Sequence, residues 1–140
     1  MGIAIDAPKP AVTDPDTAAE TTTILVADDH AVVRSGLRML LDAEDDFEVV
    51  AEAGDVSSTL RSVRGHKPNV LILDLNMPGE PSLPAIPQLR EASPDTQIVV
   101  LTMQSDPAFA REALRAGAVG YVLKEAADSE LVDAVRSAAA

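Results

Sequence analysis

The chain carries four short apolar runs without polar alternation, and each run stops at a polar residue. They are Ile24 to Ala27 before Asp28, Val70 to Leu73 before Asp74, Ile98 to Leu101 before Thr102, and Tyr121 to Leu123 before Lys124. Continuous apolar runs of this length are typical of strands that are covered on both faces of a parallel sheet. Residues 47–52 alternate apolar and charged positions instead, which predicts a strand at the edge of the sheet.

Between these runs, apolar residues recur at helical spacing. On the first predicted helix they are Val33, Leu37, Leu40 and Leu41; on the fourth they are Ala110, Ala113, Leu114 and Gly117. Each set predicts the helix face that packs against the sheet.

Helix ends have their own signals. Asp55 opens the second helix, Asp106 and Pro107 are typical of an N-cap and a first turn, and Asp128 or Ser129 is predicted to cap the last helix. Pro87 cannot donate a helical hydrogen bond, so the third helix is expected to start irregularly or late.

Five strand–helix units in alternation predict an α/β protein with a doubly wound parallel sheet and right-handed crossovers. We expect the flavodoxin-like (βα)5 fold with strand order 2-1-3-4-5. In that order the first and third strands are neighbours at the switch point. Asp28, Asp29 and Asp74 should therefore meet in the crevice beyond the carboxyl ends of the strands, where open α/β sheets bind ligands.

Length and composition fit a single domain. The chain has 140 residues, of which 46% are hydrophobic, and no cysteine. Residues 1–21 are rich in proline, small residues and acids without a sustained period, so we predict a disordered arm there and a domain over residues 22–140. No apolar run has membrane-spanning length and the start lacks a signal-peptide pattern, so the sequence predicts a cytoplasmic protein without membrane contact.

The charge argues against direct binding of nucleic acid. The chain has 23 acidic and 11 basic residues and a formal net charge of −12. Binding to a phosphate backbone depends on neutralising phosphates with Lys and Arg. Only 2% of the residues are aromatic, so stacking on single strands is not supported either.

The polar residues at the predicted rim have ordinary interpretations when taken singly. Adjacent acids are usually solvated or cap a helix, a strand-end lysine is usually exposed, and a threonine hydroxyl is usually satisfied near the sheet. Three carboxylates in one crevice, however, repel each other and raise the pKa of at least one unless a cation is bound. Mg²⁺ is the common ion for such oxygen ligands. With Thr102 and Lys124 beside them, the acids predict a magnesium and phosphoryl site.

Four motifs in this order and spacing resemble one family, the response-regulator receiver domains of the NarL/LuxR type, over Thr23 to Ala139. The motifs are Val26-Ala-Asp-Asp-His30, Leu73-Asp-Leu-Asn-Met-Pro-Gly79, Val100-Leu-Thr102 and Gly117-Ala-Val-Gly-Tyr-Val-Leu-Lys124. The resemblance implies that Asp74 is the phospho-acceptor. It also implies that Mg²⁺ is held by Asp29, Asp74 and the backbone carbonyl of Asn76, with Asp28 acting mainly through water.

The same resemblance assigns the remaining site residues. Lys124 is expected to pair with Asp74 or its phosphate, Thr102 to be the switch hydroxyl, and Tyr121 to be the aromatic residue whose rotamer accompanies activation. His30 is interpreted as a solvent-accessible residue at a helix end rather than a ligand.

The implied function is a signalling switch that takes a phosphoryl group from a sensor histidine kinase and controls an output domain. It is not an enzyme beyond catalysing its own aspartyl phosphorylation and dephosphorylation. The family normally continues into a DNA-binding helix-turn-helix that this chain lacks, so the chain is either a receiver fragment or a stand-alone receiver. A homodimer is a candidate assembly, through helix four, strand five and helix five or through helices one and five.

Two other functions share parts of this pattern. A haloacid-dehalogenase-like phosphatase also uses a strand-end aspartate with Mg²⁺, but it needs a second acid two residues later, where this chain has Asn76. A pseudo-receiver that acts by contact alone would be favoured by loss of a site residue, and none is lost.

Overall fold

The computed structural model describes residues 21–140 as one sheet flanked by helices. In chain order the elements are β1 Thr22–Ala27, α1 Ala31–Asp42, β2 Phe47–Ala53, α2 Val56–His66, β3 Val70–Asp74, α3 Ser82–Ala92, β4 Gln97–Thr102, α4 Pro107–Ala116, β5 Gly120–Leu123, a 3₁₀ turn Lys124–Ala126 and α5 Ala127–Ala139. The predicted disordered arm over residues 1–21 lies, apart from Thr21, outside the described residues.

All strand pairs are parallel, and the order is β2-β1-β3-β4-β5. This confirms the flavodoxin-like α/β prediction. It also confirms that the alternating strand is at an edge: in β2, Phe47 and Val49 are buried and Glu48 is exposed. Because Ala27 lies opposite Leu73 in the β1–β3 register, the next residues, Asp28 after β1 and Asp74 at the end of β3, lie side by side.

Each face of the sheet has its own core, as expected for strands that are covered on both sides. On one face α1 and α5 pack through Leu37, Leu41, Leu131 and Val135 against residues such as Ile24 and Ile72. On the other, α2, α3 and α4 pack against residues such as Leu25 and Leu71. The central strand β3 is buried along its full length, so its terminal acid Asp74 is held in a rigid position.

Two helix starts follow the predicted capping chemistry. The Asp55 carboxylate accepts a hydrogen bond from the Ser58 backbone N–H at 2.7 Å, and the Asp106 carboxylate accepts one from the Ala108 N–H at 2.9 Å. Each cap satisfies a backbone donor that has no partner within the helix.

The predicted cap of the last helix is wrong. Helix α5 begins at Ala127 with Ala126 as its N-cap, and Asp128 and Ser129 therefore lie inside its first turn. The 3₁₀ turn leads straight into the helix through a bond from the Ala127 N–H to the Lys124 carbonyl. Backbone geometry replaces a side-chain cap, and the Ser129 hydroxyl instead donates to the Ala126 carbonyl at 3.1 Å.

Helices α3 and α4 also differ from expectation. Helix α3 begins at Ser82 and contains Pro87, so its start is not delayed. The missing N–H of Pro87 instead leaves the Leu83 carbonyl without its usual helical donor.

In α4, Ala113 is buried but Leu114 is 51% exposed. Adjacent helical residues point about 100° apart, and the helix packs through the small residue.

No helix in residues 21–140 combines the length and apolarity that crossing a membrane requires.

Candidate functional site

The carboxyl ends of four strands bring the predicted site residues to one rim. Asp28 follows β1, Asp74 ends β3, Thr102 ends β4, and Lys124 follows β5. The side chains of Asp28 and Asp74 are completely buried, and Thr102 is a buried residue. Parallel strands place their carboxyl ends at the same edge, which is why residues so far apart in the chain meet.

Lys124 bridges two buried carboxylates. Its Nζ lies 3.0 Å from Oδ2 of Asp28 and 3.2 Å from Oδ2 of Asp74. The lysine side chain is only 16% exposed, so solvent screens these ion pairs weakly. The pairing with Asp74 was anticipated from the sequence; the equally close pairing with Asp28 was not.

The Asp74 carboxyl is electrostatically disfavoured as an anion. Burial raises its pKa, and this effect is larger than the lowering by the Asn76 backbone N–H, which donates to Oδ1 at 3.0 Å. The neighbouring Asp28 charge raises the pKa further, and Lys124 lowers it. The balance is a raised pKa, so the Asn76 N–H and the Lys124 ammonium group do not fully offset the burial of the carboxyl and the charge of Asp28.

The acid cluster has the composition of a cation site. Potential ligand atoms of Asp28, Asp29, His30 and Asp74 all lie within 4.8 Å of one another. Oδ2 of Asp28 and Oδ1 of Asp29 are buried and accept no hydrogen bond of regular geometry. Their polar neighbours are Nζ of Lys124 at 3.0 Å and Nδ1 of His30 at 3.1 Å, respectively. Buried oxygens of this kind are normally satisfied, and carboxylates are the ligands that Mg²⁺ prefers. The residues therefore fit a magnesium ion.

His30 lies closer to the acids than the sequence interpretation assumed. It is the N-cap residue of α1 and its side chain is 65% exposed, as expected for a helix end. Its Nδ1, however, is 3.1 Å from Oδ1 of Asp29, and its backbone N–H donates to Oδ1 of Asp28 at 2.9 Å. Adjacency to the acid pair was the only sequence signal for this contact.

Thr102 and Tyr121 are connected through the backbone of Gln104, which the sequence did not suggest. The Thr102 hydroxyl oxygen accepts from the Gln104 N–H at 3.1 Å, and the Tyr121 hydroxyl donates to the Gln104 carbonyl at 2.6 Å. Burial and the Asp106 charge raise the pKa of Tyr121, and Thr102 lowers it by less. The backbone of Gln104 therefore contacts both hydroxyl groups.

Comparisons with known proteins agree on one family. Residues 24–136 match the model of the response regulator receiver domain. The oxygen regulatory protein NreC of Staphylococcus haemolyticus is 49% identical over 115 residues, which cover 81% of this chain and 53% of NreC. The chain thus spans about half the length of the curated relatives it matches.

Solved structures give the same result. A two-component response regulator of the LuxR family from Aurantimonas sp. SI85-9A1 has a TM-score of 0.79 and 37% identity, with 84% of each chain covered. The signal receiver domain of NarL from Mycobacterium tuberculosis has a TM-score of 0.80 and 32% identity, covering 86% of this chain and 97% of that domain.

Proposed function

The chain belongs to the family of response regulator receiver domains, and from that premise we propose that Asp74 accepts a phosphoryl group from a sensor histidine kinase. A receiver domain is a signalling module of a two-component system, not a classical enzyme. The single observation that carries the proposal is the buried pair of carboxylates, Asp28 and Asp74, which Lys124 bridges and which cluster with the carboxylate of Asp29.

The proposed chemistry is a phosphoryl transfer between two side chains. A carboxylate oxygen of Asp74 attacks the phosphorus of a phosphohistidine. The O–P bond forms as the N–P bond breaks, and the bonding electron pair leaves with the imidazole nitrogen. The ammonium group of Lys124, already 3.2 Å from Asp74, offsets the negative charge that arrives with the phosphoryl group.

The acids would hold the ion that this transfer needs. Asp29, Asp74 and the backbone carbonyl of Asn76 are the proposed direct ligands of Mg²⁺, and Asp28 is proposed to act mainly through water. When bound, Mg²⁺ supplies positive charge next to the phosphoryl oxygens. The protein residues hold the acceptor oxygen in place, because Asn76 N–H fixes one carboxylate oxygen and Lys124 pairs with the other.

The proposed switch begins when the Thr102 hydroxyl turns to donate to a phosphoryl oxygen. As the Thr102 side chain rotates toward the phosphoryl group, its oxygen moves away from the Gln104 N–H from which it accepts. The segment that also holds the Tyr121 hydroxyl is then released. Residues 22–140 would form the receiver unit. The surface changed by phosphorylation would then control an output domain. One way is pairing with a second receiver, which would bring two tethered DNA-binding domains to two half-sites.

Intact mass after incubation with acetyl phosphate and Mg²⁺ tests the proposal. We expect the mass of one added phosphoryl group, labile as acyl phosphates are. Asp74→Asn should abolish the addition, because an amide is not a nucleophile here. Asp95→Asn, which changes an exposed acid before β4, is the matched control and should label like the wild type. Unchanged labelling of Asp74→Asn would refute the assignment.

A further inference from the structure

We propose that Arg34 is a positioning residue that orients the acid pair Asp28 and Asp29 toward the cation, an inference that rests on the proposed function. Arg34 lies on α1, one helical turn after His30. It contacts the acid loop through a backbone atom, not through a carboxylate, so it is neither a ligand of the cation nor a partner of the phosphoryl group.

The backbone of Asp28 is fixed at both of its polar atoms. Its N–H donates to the Ala53 carbonyl at the end of β2 at 2.9 Å. Its carbonyl accepts from Nη1 of Arg34 at 2.6 Å. Nε of Arg34 in turn donates to Oε1 of Glu52 at 3.1 Å, also at the end of β2. The arginine therefore connects the acid loop to the edge strand.

This contact restricts the backbone that leads into Asp29. The carbonyl of Asp28 belongs to the planar peptide unit that leads into Asp29, so fixing that oxygen fixes the start of the Asp29 backbone. Asp28 to His30 lie between β1 and α1, outside both elements. The acids of the pocket repel each other, which favours spreading of this loop. A donor on the Asp28 carbonyl opposes that movement.

Arg38 provides a matched comparison on the same helix. Its Nη1 donates to Oε2 of the same Glu52 at 2.9 Å, and its Nε lies 3.5 Å from Asp42. Its ion pairs are to Glu52 and Asp42, not to the acid loop. Replacing either arginine removes one positive charge and one Glu52 partner, but only the Arg34 change removes the donor to the Asp28 carbonyl.

The test is Mg²⁺ affinity measured by titration calorimetry on the full chain. Arg34→Ala should weaken Mg²⁺ binding by about tenfold or more, the usual effect of losing a residue that orients metal ligands. Arg38→Ala should bind like the wild type. Arg34→Lys keeps the charge and can still donate to one acceptor, so its affinity should lie between those of the wild type and Arg34→Ala.

A second readout separates positioning from general loss of structure. In acetyl phosphate labelling, Arg34→Ala should need more Mg²⁺ for the half-maximal rate, while its rate at saturating Mg²⁺ should return close to that of the wild type. Equal loss of affinity in Arg34→Ala and Arg38→Ala would show a charge effect and overturn the inference. So would a lower melting temperature of Arg34→Ala with unchanged Mg²⁺ affinity. A wild-type chain that binds no Mg²⁺ would overturn the proposed function itself, and with it this inference.

Discussion

Replacing Lys124 by methionine removes the ammonium group that lies between Asp28 and Asp74, at 3.0 and 3.2 Å from their Oδ2 atoms. Methionine keeps most of the length of the lysine stem, so packing changes little. Both carboxylates are completely buried, and water does not readily replace the lost partner.

The expected cost follows from these distances. At an effective dielectric constant of about 20, two unit charges near 3 Å apart attract by about 5 kcal/mol before desolvation is subtracted. Removing one partner of a buried pair costs about 3–5 kcal/mol, because an uncompensated charge remains. For a domain of this size the melting temperature should fall by roughly 10 °C or more.

The pH dependence gives a second signature. Burial lowers the pKa of Lys124, but the contacts with Asp28 and Asp74 outweigh it, so the pKa is raised above 10.5. The stabilisation that the charged lysine gives the fold is therefore present at neutral pH. It is lost only as pH rises above 10.5 through the raised value. In the variant, Asp74 loses a group that lowers its pKa. Its folded-state pKa therefore rises further, and the stability deficit should shrink as pH falls and Asp74 binds a proton.

Thermal unfolding by circular dichroism, without Mg²⁺, measures both effects across pH 5 to 8. Lys67→Met is the control, because it removes the same charge from an exposed position at the end of α2. A deficit under about 1 kcal/mol, the range of an exposed ion pair, would refute the reasoning. A deficit that stays constant with pH would show that the carboxylates are not its source.

Three further predictions concern the same pocket. Asp74→Asn should have a higher melting temperature than the wild type at neutral pH without Mg²⁺. The pKa of Asp74 is raised, so above pH 3.8 the folded state binds more protons than the unfolded state and the stability of the wild type falls as pH rises through that window. Asparagine removes the buried charge that causes this loss. A lower melting temperature for this variant would contradict the argument. Mg²⁺ should raise the melting temperature by binding the folded state, and Asp29→Ala should remove most of that shift because the ion loses a charged ligand; equal shifts would place the ion elsewhere. Thr102→Ala should still accept a phosphoryl group, but phosphorylation should no longer change amide exchange in residues 103–124, and a wild-type exchange response would exclude the hydroxyl as the switch.

The alternation of strand and helix patterns in the sequence determined the fold and placed the polar residues at its rim. Unbroken apolar runs such as Val70 to Leu73 predicted strands covered on both faces, and the alternating run at Phe47 predicted the edge strand. The sheet order was then expected from the flavodoxin-like arrangement of five alternating strand–helix units. Local capping chemistry was equally readable at Asp55 and Asp106, because a cap involves residues only a few positions apart.

Some local features could not be predicted because packing outweighed propensity. The start of α5 depended on a 3₁₀ turn, which forms through backbone bonds that carry no side-chain signal. Leu114 is exposed because α4 packs on its neighbours through Ala113. Which apolar residue a helix buries depends on its distance from the elements it packs against, and the helix sequence does not contain that distance. The prediction for residues 1–21 and the roles of the site residues stay predictions.

Only the tertiary structure decided which atoms meet at the rim. Three arrangements depend on contacts that form only in the folded chain. Lys124 bridges Asp28 and Asp74, and Gln104 joins Thr102 to Tyr121. Arg34 holds the Asp28 carbonyl. Two of these three arrangements run through backbone atoms, which every residue possesses. A sequence shows the chemistry of the side chains and the spacing at which apolar residues recur, and these predicted the elements and their order. The distances between backbone groups of different elements are set only when those elements pack.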